Sequence, residues 1–81
     1  MSYNYEVNVS RGEAFGLFRE MWAKVKNKSD YESAEDYLLT GSFEADARKE
    51  MVCDDEEYLD AYFDEVCDVL YGYNFFKRCK L

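Results

Sequence analysis

Hydrophobic and polar positions alternate at the start of the chain and then change period. Tyr3, Tyr5, Val7 and Val9 alternate with Asn4, Glu6 and Asn8. A period of two in strand-forming residue types predicts a short, half-buried β-strand. From Ser10 the period lengthens. Ala14, Phe15, Leu17, Phe18, Met21, Trp22 and Val25 fall within an arc of roughly 160° on a helical projection, one complete apolar face. Ser10 and Glu13 form a capping box that opens this helix. Lys24, Lys26 and Lys28 lie toward its C-terminal end, where the helix dipole favours cations.

The stretch from Asn27 to Asp30 reads as a turn. Ser29 with Glu32 gives a second capping box. A short helix is expected after it, with Tyr31, Ala34, Tyr37 and Leu38 inward and Gly41 as its stop. Ser42 is placed to cap a third short helix through Phe43, Ala47, Met51 and Val52. Asp54 and Glu57 make a fourth cap pair, and the helix they open runs to Tyr71 with Gly72 at its end. Its apolar residues, Tyr58, Leu59, Tyr62, Phe63, Val66, Val69 and Leu70, share an arc of roughly 140°. Tyr73 to Leu81 is aromatic and basic, lacks caps, and reads as a closing strand that pairs with the first. The expected architecture is a helix-dominated α+β fold, one compact domain over residues 1–81. It has an N-terminal strand, three or four helices and a C-terminal strand. Phe15, Phe18, Trp22, Leu59, Phe63, Val66 and Leu70 are expected to supply most of the core.

Composition narrows the class. Eighty-one residues allow one domain, and 48% hydrophobic with 19% aromatic residues supplies enough apolar mass to fold despite 35% charged content. No apolar run approaches the roughly 20 residues of a membrane span. Met1 to Val9 lacks the basic and apolar regions of a signal peptide, so a cytoplasmic setting is expected. The chain has no His, which removes the usual general base, the commonest metal ligand and any Ser-His or Cys-His nucleophile pair. Cys53, Cys67 and Cys79 contain no close pair of the zinc-site type and read as reduced thiols. The acidic run from Asp54 to Glu57 lacks the alternating ligands and Gly of a calcium loop. A carboxylate acid/base pair is not excluded by residue type, but so short a chain leaves little room for a cleft beside a core. No enzyme activity, cofactor or metal is expected.

Charge carries the clearest functional signal. Residues 1–29 hold three acids and five bases, a net of +2. Residues 30–68 hold 15 acids against Arg48 and Lys49, a net of −13. Residues 69–81 add Lys77, Arg78 and Lys80, which returns the total of −8. Such crowding costs self-repulsion in the compact state. Glu57, Asp60, Asp64 and Asp68 recur every three or four residues, opposite the apolar arc. On a helix their carboxylates rise by about 4.5–6 Å from one to the next, close to phosphate spacing along a nucleic-acid strand. Like charges at this spacing cost about 0.2–0.5 kcal/mol per pair, and Asp is a poorer helix former than Glu. Helix stability alone therefore does not account for Asp60, Asp64 and Asp68, whereas the first-turn acids Asp55, Glu56 and Glu57 suit the positive helix end. Glu56 extends the row into the first turn, and Tyr71 falls beside its far end. Glu56, Glu57, Asp60, Asp64, Asp68 and Tyr71 are the candidate partner-binding residues, facing a basic protein surface. The plainer alternative is a solvated face of an amphipathic helix. Direct nucleic-acid binding through Phe75, Phe76, Lys77, Arg78 and Lys80 is opposed by the nearby −13 segment.

A small, acidic, Tyr-rich chain without catalytic motifs, bearing the Glu57/Asp60/Asp64/Asp68 row, resembles the phage-encoded anti-defence proteins. Anti-CRISPR proteins and antirestriction DNA mimics belong to this type. The likeness lies in overall character, without a shared motif. It implies a stoichiometric, non-catalytic inhibitor in the host cytoplasm that occupies the nucleic-acid-binding surface of a CRISPR effector or other nuclease complex. The alternative is a small cytosolic adaptor or regulatory protein that binds its partner through an aromatic patch.

Overall fold

The computed structural model describes residues 6–78. Five helices follow one another: α1 (Arg11–Lys24), α2 (Ala34–Leu39), α3 (Ser42–Glu50), α4 (Glu56–Gly72) and α5 (Phe75–Arg78). A 3-10 turn, Lys28–Asp30, links α1 to α2. Among the described residues there is no strand, so the expected α+β architecture is corrected to an all-helical one.

Both expected strands fail for physical reasons. In the first, burial does alternate: Glu6 and Asn8 are exposed while Val7 and Val9 pack on the core. The period of two is thus met by a segment lying on helices, with no ladder partner among the described residues. Tyr3 and Tyr5 lie outside the described residues. In the second, the chain turns instead of extending. Asn74 adopts a left-handed conformation (φ 54°), which Asn tolerates better than most residues. The backbone N–H groups of Lys77 and Arg78 donate to the Asn74 carbonyl, which starts α5. The turn places Phe75 fully inside the core. Residues 79–81 lie outside the description.

Caps determine the remaining boundaries. The Ser10 hydroxyl accepts the Glu13 N–H at 3.1 Å, as the capping box predicts. The cap of α2 is Ser33, which accepts from Asp36 N–H, and not Ser29. The two Ser-x-x-acid signals are locally equivalent. Tyr31 separates them, because its ring packs against Trp22 and Tyr37 from outside the helix. Gly41 takes φ 83° and serves both as the end of α2 and as the N-cap of α3, with Ser42 already inside. Met51 and Val52 fall beyond α3, and Val52 is fully exposed. The cap of α4 is Asp55, one residue after Asp54, and the helix includes Gly72.

α1 packs against α4 and α3, α2 against α3, and α5 against α4. Phe18 of α1 is the hub. Its ring lies 5.0 Å from Phe43, 5.4 Å from Phe75, 5.1 Å from Phe76 and 6.0 Å from Tyr37. Of the expected core, Phe18, Trp22, Leu59, Phe63, Val66 and Leu70 are buried and Phe15 is half-buried. Replacing Phe18 with Ala is expected to destabilise the fold by about 3–5 kcal/mol in urea titration. That is a large share of the roughly 5–15 kcal/mol typical of a domain. Phe18→Leu should cost much less.

Candidate functional site

The acidic candidates all belong to α4 or its first turn. Leu59, Phe63, Val66 and Leu70 turn one side of this helix into the core. That burial obliges the opposite side to face solvent, and Glu56, Glu57, Asp60, Asp64, Asp68 and Tyr71 are all exposed. From Glu57 to Asp68 the surface spans about 16 Å of helix axis, and Glu57, Asp64 and Asp68 share an arc of about 40°.

The other acids near its start are held differently. Arg48 of α3 reaches across to α4. Its Nη2 lies 2.9 Å from Glu44 Oε2 and also pairs with Asp60 Oδ1, while Nη1 lies 4.0 Å from Glu56 Oε2. The guanidinium rests 5.6 Å from the centre of the Phe63 ring. One cation thus gathers three carboxylates over a core aromatic, and its pKa is raised first by the hydrogen bond to Asp60. Glu56 and Asp60 are partly neutralised from within the protein. Glu44 and Arg48 stand at i,i+4 and could be paired from sequence. The Arg48–Asp60 link joins two helices and had no local signal.

Tyrosine hydroxyls hold further acids. Tyr37 Oη donates to Asp46 Oδ2 at 2.7 Å, Tyr62 Oη to Glu13 Oε2 at 2.8 Å, and Tyr71 Oη to Glu35 Oε2 at 3.4 Å. Burial first, then the neighbouring carboxylate, raises the pKa of each phenol. Lys24 bridges Glu20 at 3.3 Å and Glu50 at 2.7 Å. Cys67 is half-buried in α4, and burial, then the charges of Glu44, Asp64 and Asp68, pushes its thiol up, away from a reactive thiolate. Among the described residues no cluster of His, Cys, Asp or Glu is arranged to hold a metal ion. No described helix is long and apolar enough to cross a membrane.

Among the described residues, two open depressions stand out. One of about 260 Å³ is lined by Met21, Lys24, Asp46, Lys49 and Glu50. The other, of about 80 Å³, lies at the C-terminal end of α4, between Glu35, Tyr71, Asn74, Phe76 and Lys77. Glu35 was absent from the sequence-based candidates, since only the fold brings α2 to Tyr71. No protein-family model matches the chain, and no match emerges among curated proteins or solved structures.

Two measurements check this account. The raised phenols keep their protons in the folded state, so their contribution is fully present below the ordinary Tyr pKa of about 10. Above it the unfolded chain sheds protons first, and stability should fall as pH rises, by up to about 1.4 kcal/mol per pH unit for the buried Tyr37 and by less for the more exposed phenols. Tyr37→Phe should lose about 1 kcal/mol at neutral pH but show a shallower alkaline decline in thermal unfolding. A double-mutant cycle of Arg48→Met with Asp60→Asn should give a coupling of about 0.5–1 kcal/mol, reduced by added salt. Asp60 is half-exposed, which limits the coupling.

Proposed function

We propose that this protein is a non-catalytic, stoichiometric inhibitor of the anti-CRISPR-like kind. In this reading α4 presents its acidic face to the cationic nucleic-acid-binding surface of a nuclease or effector complex, in the cytoplasm of a host cell. The observation that carries the proposal is the display of Glu57, Asp64 and Asp68 on one exposed arc of a helix whose other side is buried. Their backbone positions are separated by about 10 Å and 6 Å along the axis, multiples that a polyphosphate-binding groove can accept. A buried apolar face keeps the helix from reorienting, so the charges arrive pre-organised. Association with such a groove is steered over long range and weakens with ionic strength.

A second reading, an adaptor using an aromatic patch, draws on Tyr71 and Tyr73, which are 43% and 46% exposed at the end of α4. Salt separates the two. Immobilised protein is mixed with bacterial lysate at low and at high ionic strength, and retained proteins are read by mass spectrometry. Nucleic-acid-binding complexes should be retained at low salt and released at high salt. The variant Glu57→Gln/Asp64→Asn/Asp68→Asn should lose them at least tenfold while its circular dichroism stays unchanged. Asp60 is left in place because its removal would release Arg48. Retention of metabolic enzymes alone, or capture indifferent to these three charges, would refute the mimic role.

A further inference from the structure

The 80 Å³ depression at the end of α4 brings a carboxylate beside two aromatic rings. The Tyr71 ring forms one wall and leans on the Phe76 ring, centroids 5.8 Å apart and planes 51° apart. Glu35 of α2 stands at the edge of this aromatic pair, its Oε2 accepting the Tyr71 hydroxyl at 3.4 Å. Asp68 and Asp64 precede Tyr71 by one and two helical turns on the same side of α4, so the depression continues the acidic face.

An aromatic face attracts a cation, and a carboxylate beside it accepts a planar guanidinium through two parallel hydrogen bonds. The chain already uses this pairing within itself: Arg48 lies over Phe63 and is held by Glu44 and Asp60. The volume suits the end of one side chain and falls well below the roughly 300–1,000 Å³ of a small-molecule site. Lysine fits less well, because its ammonium is a strongly hydrated point charge without a flat face.

We infer that this depression anchors an arginine of the cationic partner, with the guanidinium over the Tyr71 ring, beside the Phe76 ring, and paired with Glu35. The inference rests on the reading of α4 as a face for a basic protein surface. In it, Asp64 and Asp68 supply general attraction and the depression supplies selectivity. Lys77 on the rim opposes the incoming cation.

Fluorescence anisotropy of the full chain with labelled oligo-arginine and oligo-lysine peptides of equal length tests this. The wild type should prefer the arginine peptide by about three- to tenfold. Tyr71→Ala and Glu35→Gln should each bring that ratio toward one while leaving the oligo-lysine affinity nearly unchanged. Tyr71→Phe, which keeps the ring, should retain most of the ratio, and Lys77→Gln should increase it. Asp64→Asn/Asp68→Asn should weaken both peptides alike. Melting temperatures of the variants establish that each is folded. Equal affinity for the two peptides, or a preference that survives both Tyr71→Ala and Glu35→Gln, overturns the anchor and leaves the acidic-face reading standing. If neither peptide binds, both the anchor and the acidic-face reading are overturned. A single-stranded oligonucleotide that binds more tightly than the peptides, and is lost with Lys77→Gln, reassigns the depression to nucleic acid and overturns the anchor as well.

Discussion

The Phe18 ring sits where rings from three other helices converge: Tyr37 from α2, Phe43 from α3, and Phe75 and Phe76 from α5. Phe43 passes the contact on to Phe63 of α4 at 6.0 Å. Most of these pairs meet edge to face, the arrangement that the ring quadrupole favours. A chain of this length has few layers in which to bury apolar surface, so large rings meeting at one point are an efficient solution. The rotation of α4 about its own axis follows from this packing. Phe63, Val66 and Leu70 must point inward, and the carboxylates three or four residues away must then point outward.

Electrostatics is handled in two layers. Where acids lie between helices, they receive a donor: Tyr37 for Asp46, Tyr62 for Glu13, Lys24 for Glu50, and Arg48 for Glu44 and Asp60. These contacts tie helix to helix while relieving part of the repulsion within residues 30–68. The outer acids of α4 stand on the exposed side of the helix, away from the core. Asp68 also approaches the negative end of the helix dipole, where anions are disfavoured. Local chemistry that runs against helix stability at an exposed position is the pattern expected where a surface serves a partner.

The two layers meet at the end of α4. Tyr71 belongs to the outward face by its position on the helix, yet its hydroxyl reaches Glu35 and its ring leans on Phe76. α5 exists because Asn74 reverses the chain there, and the same reversal builds the wall of the small depression. The turn that completes the core therefore also shapes a recess continuous with the acidic surface described above.

The helices that carry long apolar arcs, α1 and α4, were legible from spacing alone, as was the Ser10 cap, because those signals lie within one turn of each other. So was the exposure of Glu57, Asp64 and Asp68, which follows once the opposite side is apolar. The terminal strands were misread because alternation in residues 6–9 and aromatic density after Gly72 report burial, and burial does not say whether a ladder partner exists. Choosing Ser33 over Ser29, turning the chain at Asn74, and matching Arg48 to Asp60 or Tyr71 to Glu35 all required tertiary structure. Periodicity within the chain determined which residues of α1 and α4 face inward. The pairing of side chains on different helices was decided only by three-dimensional packing, because residues distant in sequence leave no regular spacing to read.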